Sequence, residues 1–161
     1  MITNFRVFLE SKVKEFKDIR SFDELDKNKI IEIVEYVGVD PYQDQDDVID
    51  DLIDKLEEWK KLPNSVRLYR IVKAKSKEDI DTNLLGEHWT LYDWNLDGDL
   101  LLNIGGDIEH NLDAYVIEAD FPLSEIDILQ TIIQNMNYPT EWEINVRNKG
   151  RGGTLVDIYE Y

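Results

Sequence analysis

Two glutamates one residue apart, Glu141 and Glu143, stand in the segment Tyr138-Pro139-Thr140-Glu141-Trp142-Glu143-Ile144, among apolar and β-forming residues. Side chains on a strand alternate between its faces, so the two carboxylates are expected on one face. That face is doubly negative unless a cation opposes it. Upstream, Leu68-Tyr69-Arg70 supplies a guanidinium, and His88-Trp89-Thr90 supplies an imidazole and a hydroxyl, each in a further extended segment. Val66, Leu68 and Arg70 alternate in step, which puts Arg70 on the side of its strand that meets the core. An arginine is rarely left there unpaired.

Other chemistries find less support. Asp93-Trp94-Asn95-Leu96-Asp97-Gly98-Asp99-Leu100 matches the first eight positions of a calcium loop, with oxygen ligands at alternate residues and glycine at the sixth. The twelfth position, where a bidentate glutamate belongs, is Ile104. Without it the shell lacks two oxygens, and the flanks read as strands. Asp93, Asn95 and Asp97 are therefore weak ligand candidates for calcium, a plain Asp/Asn/Gly turn is the expected structure, and no metal is expected. The Rossmann and P-loop patterns are absent, since Gly105-Gly106 is a bare pair and no Gly-Lys-Ser/Thr occurs. The imidazoles are His88 and His110, and there is no cysteine, which removes disulfides, a thiol nucleophile and thiolate zinc sites. No nucleophile-elbow pattern supports a Ser-His-Asp triad.

Charge narrows the partners. The net charge is -17, and Glu78 to Thr140 holds 14 Asp or Glu and no Lys or Arg. Such a stretch repels phosphate and cannot make the counterion-releasing contacts that dominate nucleic-acid affinity. A basic protein partner is electrostatically easier to recruit, while an acidic surface that serves solubility alone is what the charge by itself favours. The apolar runs are too short for a membrane span, and no secretory pattern opens the chain, so a cytoplasmic protein is expected.

The elements that must position these groups change character near residue 64. Phe5, Phe8, Leu9, Val13 and Phe16 keep helical rhythm, which predicts a helix over 4–18. A second is expected over 23–37, with Leu25, Ile30, Ile31, Val34 and Val37 inward. A third is expected over 44–62, with Val48, Ile49, Leu52, Ile53, Leu56 and Trp59 on its apolar face and aspartates crowding its first turns. Extended segments follow at 66–72, 88–92, 100–104, 114–121, 141–147 and 155–159. A helix is expected after Ser124 as cap, with Ile128, Leu129, Ile132, Ile133 and Met136 inside, closing at Tyr138-Pro139. Helices first and mostly antiparallel strands after them spell an α+β protein. At 161 residues this is expected to be one domain, with a helical part over 1–63 and a β-rich part over 64–161.

Arginine on one strand, a hydroxyl on another and Glu-x-Glu on a third, in that order, resemble the arginine-serine-glutamate branch of the ADP-ribosyltransferases. The likeness covers about residues 66–161 and implies a split β-sandwich behind the N-terminal helices. It implies NAD as co-substrate, with Arg70 on its diphosphate and Gly86-Glu87-His88-Trp89-Thr90, including His88 and Trp89, supporting the cofactor. Cleaving the nicotinamide–ribose bond passes through an oxocarbenium-like state, and the resemblance assigns to Glu143 the carboxylate that binds the ribose and faces that charge. Glu141 would position and deprotonate an acceptor arginine, and Tyr138 would stand in the acceptor-recognition loop. The chain departs from the family in having one hydroxyl, Thr90, where two or three are usual, in Ile71 instead of glycine after Arg70, and in the bulky Trp89 and Trp142. The function implied is mono-ADP-ribosylation of a protein by a small bacterial or bacteriophage enzyme. The alternative is a non-catalytic relative, or an acidic inhibitor that occupies a basic groove.

Overall fold

The computed structural model describes residues 2–93, 96 and 112–161, with side chains from residue 10 onward. Among them are four α-helices, α1 (Ile2–Lys17), α2 (Lys27–Val37), α3 (Gln45–Trp59) and α4 (Ile128–Asn137), and one five-stranded antiparallel sheet. The class is α+β. No helix among the described residues is long and apolar enough to cross a membrane. The chain divides into two compact units, Met1–Lys61 with Ile128–Pro139, and Leu62–Asp127 with Thr140–Tyr161.

The helical unit follows the apolar stripes, but its boundaries follow the caps. The segment over 23–26 is not the first turn of α2. Ser21 caps a short 3-10 turn, Phe22–Glu24, in a reciprocal capping box with Glu24. Leu25 is then extended, and Asp26 starts α2 by accepting from the Lys29 amide at 2.8 Å. Asp44 starts α3 by accepting from the Asp46 and Asp47 amides. Ser124 does not start α4: it lies in a 3-10 turn, Leu123–Glu125, and Ile126 leaves that turn extended to bridge Val146. Trp59 is 1% exposed and stacks on Phe22 at 5.2 Å between ring centroids. Lys55 is buried as well, its ammonium 3.1 Å from Asp51 and donating to the carbonyl of Pro139, which ties α3 to the chain after α4. Burial lowers the Lys55 pKa, and the hydrogen bond with Asp51 opposes that.

Lys12 and Lys29 each bridge Glu15 and Glu32, joining α1 to α2. Hydrogen bonds, from Lys29 to Glu15 and from Lys12 to Glu32 first, hold both carboxyls below their ordinary value. A depressed folded-state pKa contributes stability that is complete above the unfolded pKa of about 4.3 and lost as pH falls through the lower folded value. Glu32→Gln is therefore expected to lower the melting temperature at neutral pH, and the deficit is expected to shrink as pH falls through the lowered folded-state value. A deficit that stays constant from neutral pH into acid contradicts the ion-pair origin.

In the second unit the strands β1 (Ser65–Ala74), β2 (His88–Thr90), β3 (Asp113–Pro122), β4 (Glu143–Asn145) and β5 (Thr154–Glu160) lie in the order β4-β2-β1-β3-β5. One face buries Val66, Leu68, Trp89, Ile117, Ala119, Phe121, Ile144 and Ile158. These fall together because β1 pairs β3 with Leu68 opposite Ala119, and β2 pairs β4 with Trp89 opposite Ile144. The Trp89 ring meets Phe121 edge-on at 4.9 Å. The expected strand over 141–147 is shorter than its composition suggests, because Trp142 has φ +48 and interrupts the extended chain. The segment expected as a strand at 100–104, with Asn95, Asp97 and His110, lies outside the described residues.

Candidate active site

The three segments singled out for chemistry, distant in sequence, become neighbouring strands. β2 lies between β1 and β4, with Thr90 opposite Tyr69 on one side and opposite Glu143 on the other. Residues directly opposite in an antiparallel pair share a face, so Tyr69, Thr90 and Glu143 form one row across three strands. His88 and Asn145, a second opposed pair, stand two residues along on the same face.

Within this row the carboxylate is held firmly. Glu143 is 12% exposed, and its Oε1 accepts from His88 Nδ1–H at 2.5 Å. That bond leaves Nε2 as the outer atom of an imidazole that is 59% exposed. Thr90 is buried and donates its hydroxyl proton to the Glu141 carbonyl at 3.0 Å. This bond pins the chain just before the Trp142 kink. The kink has a consequence for the paired glutamates: Glu141 lies outside β4, so strand alternation does not set its side chain beside Glu143. Trp142 directs its ring to Tyr92, edge-on at 5.7 Å. Tyr69 is the row's other end, its phenol pKa raised by burial first and then by the charges of Glu118 and Asp93.

Arg70 faces the other way. It belongs with Leu68 and Val66, as the alternation predicts, and its Nη1 donates to the Leu85 carbonyl at 2.9 Å. Gly86 makes room for it, since a Cβ there would stand 1.3 Å from Nη1. Burial lowers the guanidinium pKa, and the charge of Glu87 works against that. Trp89 shares this face: buried, donating its indole N–H to the Gly86 carbonyl at 2.9 Å, and packed on Phe121, it fills the core.

The structure therefore brings Glu143, Thr90 and His88 together, sets Arg70 and Trp89 on the reverse of the same strands, and draws from Glu141 a carbonyl acceptor. Tyr138 belongs to the helical unit, where it is exposed just after α4. Asp93 is exposed, and among the described residues no group of three His, Cys, Asp or Glu is arranged to hold a metal. Tyr69 and Asn145 joined the row without a motif of their own. Their parity was readable, but their membership depends on the strand order, which no local pattern encodes.

No protein-family model, curated protein or solved structure matches this chain.

Proposed function

We propose that the chain is an NAD-dependent mono-ADP-ribosyltransferase that modifies arginine on a protein acceptor, working in the cytoplasm, where NAD is available. The observation that carries this reading is the row in which Glu143 on β4 stands in register with Thr90 on β2, the strand that pairs with the β1 bearing Arg70. In this reading Glu143 binds the ribose of NAD and faces its developing positive charge as the bond to nicotinamide breaks and nicotinamide leaves. A nitrogen of the acceptor guanidinium forms the new bond to the sugar, and Glu141 accepts the proton released. His88 orients Glu143 through the Nδ1 hydrogen bond. Arg70, whose guanidinium lies on the reverse of the sheet at the Leu85–Gly86 step before β2, meets the diphosphate where NAD extends past that end of the strand. Mass spectrometry of an arginine-rich protein incubated with the chain and NAD tests it. Addition of one ADP-ribose per modified arginine is the expected result, and an unmodified acceptor with intact NAD contradicts it.

A second reading, a non-catalytic acidic protein that binds a basic partner, is favoured by the outer strand. β5 ends the sheet among the described residues, and Leu155, Val156 and Tyr159 are exposed there beside Asp157 and Glu160. Strand edges of this kind accept extended partners. Affinity for a basic partner would then fall steeply with salt, and a salt-insensitive complex would contradict this reading.

A further inference from the structure

The basic residues of the sheet unit are unevenly placed. Beyond Lys77 every lysine and arginine of the chain lies within five positions, Arg147, Lys149 and Arg151. In a protein of net charge -17 this turn is a local inversion of sign.

Its backbone is held in an uncommon shape. Asn148, Lys149 and Gly150 have φ of +54, +55 and +77, three successive residues in the left-handed region. Cross-links fix it there: Arg147 N–H donates to the Glu125 carbonyl at 2.8 Å, and Gly86 N–H donates to the Lys149 carbonyl at 2.9 Å. Gly150 packs so closely on Gly86 that a Cβ would lie 2.4 Å from the Gly86 carbonyl oxygen. The Arg70 guanidinium rests on this same Leu85–Gly86 step from β1. A buried arginine and a basic turn thus converge on two residues of backbone.

The cations here are not neutralised as others are. Arg67 on the same sheet grips Asp120, with Nε 2.6 Å from Oδ1. Among the described residues no carboxylate oxygen lies within 4.0 Å of the side-chain nitrogens of Arg70, Arg147, Lys149 or Arg151. Acids that touch these segments include Glu87, whose charge acts on Arg70, and Glu125, which lies 3.5 Å from Asn148 Nδ2 and against Gly152. Among the described residues the Nε of Arg147 is buried with no hydrogen-bond acceptor. A desolvated N–H donor of this kind is costly to leave unpaired, and an anion oxygen, like a water, would satisfy it.

We propose that the turn Arg147–Arg151, together with Arg70 at Leu85–Gly86, is a binding site for a phosphoryl anion. Guanidinium groups recognise phosphate oxygens through paired charge-assisted hydrogen bonds, and Arg147 would present its unsatisfied Nε as one member of such a pair. The site uses three residues that the transferase reading leaves without a role and does not depend on that reading.

Calorimetric titration of the whole protein with inorganic pyrophosphate at low salt tests the site. Wild type is expected to bind, and Arg147→Gln to weaken binding at least about tenfold, the loss expected for one charge-assisted hydrogen bond to a desolvated group. Arg67→Gln removes the same charge at a paired position and is expected to bind as wild type does. If Arg147→Gln fails to fold, the exposed Lys149→Gln and Arg151→Gln double variant replaces it, with the same expected weakening. No binding by wild type, or equal weakening in the Arg67 and turn variants, overturns the site. NAD added as competitor then identifies the source of the anion. Displacement of pyrophosphate assigns the site to the nucleotide and supports both proposals. Turn-dependent pyrophosphate binding that NAD leaves intact supports the anion site and counts against the transferase reading alone.

Discussion

Glu143→Gln is expected to reduce NAD-dependent modification by about two to three orders of magnitude while leaving the fold intact, the range seen when one preorganised electrostatic contact to a transition state is removed. Glutamine keeps the shape and can still accept from His88 Nδ1–H, so the strand pairing with Thr90 survives. What it loses is the negative charge opposite the sugar, which matters most when the ribose is cationic. The loss should therefore appear in kcat, with the affinity for NAD little changed. Unchanged melting together with unchanged turnover would remove Glu143 from the chemistry. A weakened affinity at constant kcat would make it a binding residue only.

Gly150→Ala should produce the largest change in stability, a loss of about 2–4 kcal/mol, because two independent costs coincide. The first is conformational: φ of +77 places a Cβ against the following carbonyl, at about 1 kcal/mol or more. The second is steric, and the groups struck are rigid. The new methyl would stand 2.4 Å from the Gly86 oxygen and 2.9 Å from its nitrogen, so the two backbone segments must separate. Their separation breaks the Gly86 N–H to Lys149 carbonyl bond and shifts the Leu85 carbonyl that Arg70 donates to. Chemical denaturation with the linear extrapolation checks this, and a midpoint equal to that of wild type would show that the turn is free to move.

The helical part was legible because its signal is local. Stripes such as Leu52, Leu56 and Trp59 recur at helical spacing, and those residues are buried. Where the helices start was less legible, since Ser21 and Asp26 are both plausible caps, and choosing between them requires knowing that Leu25 is extended. On the strands, alternation located Arg70 correctly on the face of Val66 and Leu68. It failed for Glu141 because a single backbone angle at Trp142 cancels the two-residue period, and tryptophan gives no warning of a positive φ. The row of Tyr69, Thr90 and Glu143 was half legible. The residues stand out by type, but their meeting depends on pairing between segments that are distant in the chain, Tyr69 with Thr90 and Thr90 with Glu143. The stretch 148–153 reads from sequence as a turn-rich connection between strands, and neither its packing on Gly86 nor the buried Nε of Arg147 is visible before the chain is folded.

A crystal structure of the protein soaked with NAD bears most directly on the row as an NAD site. The account predicts the nicotinamide-side ribose on the Tyr69–Thr90–Glu143 face, with a ribose hydroxyl within hydrogen-bond distance of the Glu143 carboxylate. Nucleotide density elsewhere on the molecule, or an empty face at saturating NAD, would contradict it.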